Sequence, residues 1–424
     1  MALIIMVLLG LLACDAVGAA TIYDTHYLLS NLTKDYNVNV RPAVEQLLPV
    51  NVSIQMYLKS IMEFDERQGT LSYTVGFEIT WKDYRLMWNS YLYGGVWYLN
   101  VPLTMIWFPE LLLSSPATSR SYITQSWSKA RIYYDGFVLY VEGALIESTC
   151  EVNVKYYPFD VQSCNTSFIS LGYTYKDVNL MWVKESIDIT LYPGNSMWDL
   201  ESTSVSVQTV ATGGGQQEMF VTFNLRRKPG YAIVNVLLPI LFLGILNAFV
   251  FLLIPESGER IGYCITTLLA IAVYMTIIMS SLPQSSDPTP LINYKLLIDL
   301  VYSALIIVAV ILNMRLNGKD DDVPVPKILV SFYLALMCRA CGGKPVRPAS
   351  NGFTADQNAT SSNESSSKLQ ESDIPDYSPV NSVDAQKVTW KKISSLLDIS
   401  FFVLFVFLSF LIFVVFISIL KSGS

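Results

Sequence analysis

Four long apolar stretches constrain this chain more than anything else in it. Tyr231–Ile254, Ile261–Leu282, Leu291–Met314 and about Ile399–Leu420 each reach the roughly 20 apolar residues that a helix needs to cross a bilayer. They explain why 52% of the 424 residues are apolar and why the mean hydropathy is +0.40, both high for a soluble protein. A fifth apolar run, Ala2–Ala13, is too short to span and is followed by small residues at Val17–Ala20. It reads as a secretory signal peptide occupying residues 1–20.

Residues 21–229 follow a different grammar. Apolar and polar residues alternate in "LSYTVGFEITW" (Leu71–Trp81) and "MFVTFNLRR" (Met219–Arg227), with Gly, Pro, Asn and Asp between the runs. That period of two predicts a twisted antiparallel β-sandwich. A cleaved signal puts this domain outside the cell, and four spans bring the C-terminus back outside. Residues 230–315 then hold three transmembrane helices, 316–393 a cytoplasmic loop, and 394–424 the fourth helix and an extracellular end. The loop carries most of the membrane-flanking Lys and Arg, as the positive-inside rule expects, while "RRK" (Arg226–Lys228) breaks that rule locally. Asn31, Asn51 and Asn165 head glycosylation sequons in the ectodomain; the sequons at Asn358 and Asn363 fall in the loop and should stay bare. Within the loop, Asp321–Ala340 has the spacing of an amphipathic helix lying on lipid. Asn351–Asp373 is Ser-rich and expected to be disordered, and about Val383–Leu397 should be helical again, running into the last span.

Six cysteines can now be placed. Cys14 leaves with the signal, Cys264 lies in a span, and Cys338 and Cys341 are cytoplasmic. Cys150 and Cys164 remain in the oxidising compartment and are expected to pair. Closing so short a loop stabilises by about 3 kcal/mol in the chain-entropy model. Its centre, Tyr156-Tyr157-Pro158-Phe159, is a rigid apolar knob that must rest against something, with the membrane domain the nearest candidate.

The chain resembles the Cys-loop receptors, the pentameric ligand-gated ion channels. The residues that carry the resemblance are Cys150–Cys164 with "YPFDVQSC", "WFPE" (Trp107–Glu110) and "WKDYRLMW" (Trp81–Trp88). "PESGERIGYCITTLL" (Pro255–Leu269) and "SLPQSSDPTPLI" (Ser281–Ile292) extend it into the membrane region. The "SGER" and "PVPKILV" runs look closest to the cation-conducting serotonin and nicotinic branch. The resemblance implies an extracellular β-sandwich on a four-helix membrane bundle and assembly with four further subunits, as a homo- or heteropentamer. It also implies gating by a small-molecule agonist and a plasma-membrane, postsynaptic location. It implies, too, that the cystine loop and "WKDYRL" transmit motion to "SLPQSSDPTP".

In the second span, Gly262, Thr266, Leu269, Val273, Ile277 and Ser280 recur at steps of three and four and share one helical face. The face is small or polar at its ends and apolar between. This suits a water-lined pore with a hydrophobic gate at Leu269 and Val273. An amphipathic seam against neighbouring helices would give the same spacing. Glu259, just below, would form a carboxylate ring that selects cations; a helix-start glutamate favoured by the macrodipole is the plainer reading. Arg260 should point away from the lumen.

The resemblance fails where family members hold an ammonium transmitter in an aromatic box. The expected aromatic positions fall at Ser114, Leu171 and Gly76, and the recognition loop reads "TVATGGGQQEMF" (Thr209–Phe220). Tyr173, Tyr175, Trp127, Tyr140 and Gln216 could line a different pocket, or could be sandwich packing. The function classes left open are a cation channel with an agonist other than acetylcholine or serotonin, an accessory subunit, and a non-conducting adhesion protein. An enzyme is disfavoured: His26 is the only histidine, and no nucleophile–base or metal cluster appears. No cofactor and no nucleic-acid partner is expected, and membrane lipid surrounds the spans.

Overall fold

The alternation in the sequence becomes alternation of burial. The computed structural model describes residues 20–119, 121–210, 215–255, 258–283, 287–320, 323–331, 333 and 388–423. In β2 (Thr70–Met87) the side chains of Leu71, Tyr73, Val75, Phe77, Ile79 and Trp81 are buried. In β10 (Gln216–Arg227) those of Met219, Val221, Phe223 and Leu225 are buried. Burying each such side chain contributes roughly 1.5–3 kcal/mol relative to leaving it in water. The remaining strands are β1 (Val50–Asp65), β3 (Tyr98–Pro102), β4 (Leu111–Leu113), β5 (Lys129–Tyr133), β6 (Asp135–Thr149), β7 (Val161–Ser170), β8 (Val178–Trp182) and β9 (Trp198–Val210). They form a six-stranded sheet in the order β3-β5-β6-β2-β1-β8 and a four-stranded sheet β4-β7-β10-β9. Phe77 meets Phe168 and Tyr73 meets Phe223 across the core, at 5.5 and 4.8 Å between ring centroids. Helix α1 (Ile22–Thr33) precedes the sheets and starts on a capping box between Thr21 and Asp24.

The motifs "WKDYRLMW" and "WFPE" meet in one buried network. The Tyr36 hydroxyl donates to Asp83 Oδ2 at 2.6 Å and accepts from Arg85 Nη2 and the Trp107 backbone N–H. Burial, then the Asp83 charge, pushes the Tyr36 hydroxyl well above the usual tyrosine range. The strand register corrects the expectation that "WKDYRL" abuts the "SLPQSSDPTP" linker. Thr70 pairs with Thr149, and Cys150 N–H donates to Gly69 O at 2.8 Å. Trp81 lies eleven residues farther along β2, opposite Val52. At about 3.3 Å per residue that is roughly 36 Å away. The β1–β2 turn, with Glu66, Gln68 and Gly69, stands beside the cystine loop instead, and shares a cavity with Cys150, Pro283 and Pro288.

Among the described residues four helices are long and apolar enough to cross a membrane. They are α2 (Gly230–Leu252), α3 (Glu259–Ser281), α4 (Leu291–Asn317) and α5 (Trp390–Gly423). The helix expected to precede the last span is continuous with it from Trp390 onward. The chain divides into two compact units, one of Met1–Ile240, Ala272–Ile298 and Phe413–Ser424, the other of Leu241–Ile271 and Asp299–Ile412. In the first, the sandwich continues into a cluster of helix ends built on Leu237, Ile240, Ile278, Leu282, Ile292, Leu296, Phe416 and Leu420. Pro239 has no N–H to give to the carbonyl four residues back. The chain makes a π-type turn at Ile233–Leu237, and the Tyr274 hydroxyl bonds the Asn235 carbonyl at 2.7 Å. In the second unit Ala248, Phe251, Cys264, Tyr302, Ile306, Val310 and Phe405 form a separate core.

Several expectations lie outside the described residues: the signal peptide up to residue 19, most of the glycine run, half of the amphipathic helix, the Ser-rich segment, Cys338, Cys341, Asn358 and Asn363. Of the amphipathic segment, residues 323–331 and 333 are described, and 327–331 and 333 are helical.

Candidate functional site

Cys150 and Cys164 are bonded, with their Cα atoms 4.9 Å apart. The loop they close presents Tyr156, Tyr157 and Phe159 to the cluster of helix ends, and Leu291 N–H donates to Lys155 O at 3.0 Å. Behind the loop stands Arg227. It occupies the inward register of β10, after Leu225, and is 8% exposed. Its guanidinium bonds Asp160 through Nε at 2.8 Å and Nη2 at 3.1 Å, and Glu66 through Nη1 at 2.7 Å. Its other contacts are with the Trp198 and Tyr157 rings, at 4.3 and 5.0 Å to the centroids. Burial works against the Arg227 charge, but the two carboxylates outweigh it and hold its pKa above the ordinary arginine value. The flanking Arg226 and Lys228 pair with Glu201 and Asp199. All three basic residues of "RRK" are thus neutralised by carboxylates of the sandwich.

The pocket candidates separate onto two sheets. On the side of the four-stranded sheet, Tyr173 accepts a hydrogen bond from Trp107 Nε1 at 3.1 Å, and Leu171 N–H donates to Glu110 O. Ser114 is exposed and is held through its backbone to Ser167. Gln216 Nε2 reaches Ser170 O at 3.3 Å. Tyr175 lies against Gly215, whose φ of +88° and closeness to that ring (2.8 Å from an added Cβ) leave room only for glycine. On the six-stranded side Trp127 is 74% exposed, but Tyr140 is fully buried. The Tyr140 hydroxyl accepts from Gln125 N–H and donates to Glu142. Burial, with Glu142 beside it, pushes that hydroxyl up to about 12. Tyr140 is thus packed inside the sandwich, the second of the two readings left open for it.

Gly76 pairs with Gly143 on the six-stranded sheet. The Lys59 side chain lies across both, with Cε 3.5 Å from a Cβ built on Gly76 and Nζ 3.6 Å from one on Gly143. Lys59 sits at a register shift of β1, between Leu58 and Ser60, the kind of bulge that re-aims a side chain.

On α3 the residues Glu259, Gly262, Thr266, Leu269, Val273, Ile277 and Ser280 are all exposed, Leu269 at 62%. Arg260, Cys264, Thr267, Ile271 and Ile278 are buried on the opposite face. Gly262 to Ser280 spans roughly 27 Å at 1.5 Å per residue. The Thr266 and Ser280 hydroxyls donate to Tyr263 O and Ile277 O, at 2.8 and 2.7 Å, so their oxygens stay free to accept from water.

The family profile described as "Neurotransmitter-gated ion-channel ligand binding domain" matches residues 25–229, and "Neurotransmitter-gated ion-channel transmembrane region" matches residues 236–392. The chain belongs to the Cys-loop receptors. Ligand-gated ion channel 4 of Caenorhabditis elegans is 31% identical over 293 residues, covering 68% of this chain and 46% of that protein. Neuronal acetylcholine receptor subunit alpha-6 of Rattus norvegicus is 27% identical over 321 residues, 75% of this chain and 65% of its own. Acetylcholine receptor subunit gamma of Bos taurus is 29% identical over 326 residues, 73% and 62%. The chain thus spans less than two thirds of the length of these relatives. Membership places it among ligand-gated channels of the plasma membrane, not among enzymes.

Sequence reasoning missed two features of this Cys-loop receptor, Arg227 and Lys59. Arg227 had a signal: it continues the inward alternation of Met219, Val221, Phe223 and Leu225, and a buried arginine demands carboxylates. Lys59 had none, because a bulge in pairing cannot be read from one strand.

Proposed function

We propose that this chain is a subunit of a pentameric cation channel whose agonist is not an ammonium transmitter. One observation carries the reading: the exposed stripe of α3 has an apolar middle at Leu269 and Val273 and a carboxylate, Glu259, at one end, while the opposite face is packed. Five such stripes around an axis make an aqueous path with an apolar constriction that dewets when narrow. Two relatives are named as acetylcholine receptor subunits, but Ser114, Leu171 and Gly76 offer no ring for a cation–π contact. Beside Gly76 stands the ammonium of Lys59, which would repel a cationic ligand. The same absence favours a second reading, an accessory subunit whose partners supply the agonist site. Gating would pass from the sandwich through Tyr156, Tyr157 and Phe159 and the β1–β2 turn to the ends of α3 and α4.

The test is voltage clamp of the chain expressed alone, with surface labelling, comparing wild type with Leu269→Thr. A polar ring hydrates the constriction, so the variant should pass current without agonist, with a reversal potential that follows sodium and ignores chloride. A chloride-following current would overturn the role given to Glu259. Protein at the surface with no current in either form would point to the accessory reading or to a non-conducting protein.

Asn31, Asn51 and Asn165 are exposed, and we propose that all three carry glycans on an extracellular sandwich. Endoglycosidase treatment should increase gel mobility, and each Asn→Gln change should remove one step of that shift. No mobility change on treatment would sink both the glycans and the orientation they imply.

A further inference from the structure

Helix α5 contributes no residue to the exposed stripe of α3, yet it shares a buried ion pair with the start of that helix. Asp398 is 6% exposed and Arg260 1% exposed. The guanidinium grips the carboxylate with two prongs, Nη1 to Oδ1 and Nη2 to Oδ2, both at 2.9 Å. Arg260 Nε also donates to Leu253 O at 2.8 Å, and Nη2 to Phe251 O at 3.3 Å, at the end of α2. Asn313 of α4 closes the set, donating to Asp398 Oδ1 at 2.7 Å and to Ser394 O at 3.2 Å. One turn earlier on α5, Trp390 Nε1 donates to Val323 O, and Lys319 stands 4.1 Å from its ring centroid. Trp390, Ser394 and Asp398 are four residues apart, so a single face of α5 makes all these contacts.

Helical geometry gives the consequence. At 3.6 residues per turn, successive side chains differ by about 100°. The stripe Gly262–Ser280 centres roughly 140° from Arg260 and only about 40° from Glu259. Two adjacent and opposite charges at the start of α3 thus go to opposite sides, and Arg260 is held away from the stripe by its partners on α5 and α2. A buried arginine whose carboxylate is removed becomes an uncompensated charge in a low-dielectric site. Its long stem lets it seek water instead, and Glu259 beside it is exposed.

We propose that Asp398 is a positioning residue for conduction: it retains Arg260 on the helix-bundle side so that Glu259 alone sets the charge of the pore mouth. This rests on the reading of Glu259 as a mouth carboxylate, and the test separates the two. Unitary conductance and reversal potential would be recorded from full-length chains carrying Leu269→Thr, with Glu259→Gln measured first. If Glu259→Gln leaves both quantities unchanged, the mouth reading itself falls, and the role of Asp398 falls with it. If Glu259→Gln lowers the conductance, Asp398→Asn should lower unitary sodium conductance at least twofold and move reversal toward chloride. The double variant Arg260→Gln/Asp398→Asn, with no stray cation, should return to the parent value. A merely structural Asp398 would change the number of channels at the surface or their open time, but not the current through one open channel. Asp398→Asn with parental unitary conductance overturns the proposal. If Asp398→Asn fails to reach the surface while the double variant does so with parental conductance, the rescue supports it. If neither reaches the surface, the pair is a folding element and the proposal fails.

Discussion

Replacing Arg227 with glutamine should lower the apparent melting temperature of the purified receptor by about 6–20 °C. Removing one partner of a buried ion pair costs about 3–5 kcal/mol, because the other charge stays behind without compensation. A kilocalorie corresponds to roughly 2–4 °C in a domain of 150–250 residues. The charge left behind is Asp160, 3% exposed, whose remaining side-chain donor is Gln162 Nε2. Glu66 loses its cation at the same time, and the Trp198 and Tyr157 rings lose the guanidinium they contact. The neighbouring Arg226→Gln is the internal control. Its pair with Glu201 is exposed on both sides, and exposed pairs contribute about 0–1 kcal/mol, so its midpoint should move by a few degrees at most. Asp160→Asn combined with Arg227→Gln should cost less than the two singles added, since neither charge is then stranded. Equal shifts for Arg226→Gln and Arg227→Gln would show that register and burial at Arg227 carry no special energy.

The comparison of Arg226 with Arg227 also shows what the sequence could and could not disclose. Period two in Met219–Arg227 states which side chains turn inward, and Arg227 falls among them; it does not state that Asp160 and Glu66, 67 and 161 residues earlier in the chain, will be there. The face of α3 was legible for the same reason, since steps of three and four need no partner to be recognised. Ends of strands were not legible in that way. Nothing in "WKDYRL" tells which end of β2 it occupies, and only the pairing of Thr70 with Thr149 puts it far from the helix ends. Tyr140 stayed open for a related reason. Its alternation was as clear as that of Ile146, but in sequence an aromatic hydroxyl with two internal partners looks the same as one waiting for a ligand.

Glu259→Lys in the Leu269→Thr background should move the reversal potential away from sodium and toward chloride, by far more than Glu259→Gln moves it. Two unit charges about 6 Å apart in water interact by roughly 0.7 kcal/mol. Five carboxylates at such a distance from the axis would favour a cation by about 3.5 kcal/mol without salt, and a Debye length of about 8 Å roughly halves that. The remainder, about 1.7 kcal/mol, is close to a twentyfold bias at tenfold per 1.4 kcal/mol. Lysine inverts the sign instead of merely erasing it, so the swing is about twice as large as that of the glutamine variant. The plainer account of Glu259, a glutamate favoured at a helix start, predicts something different. Exposed at the first turn of α3, it would contribute about 0.3–1 kcal/mol to helix stability through the macrodipole. Its loss would then lower surface expression modestly and leave ion selectivity where it was. Arg260→Gln divides the two accounts further. Arg260 is one residue away on the same helix but is held on the packed side, so its removal should leave the preference for sodium intact even though it deletes a larger buried interaction. A selectivity change that followed Arg260 rather than Glu259 would mean that the stripe, not merely the charge, had been assigned to the wrong face of the helix.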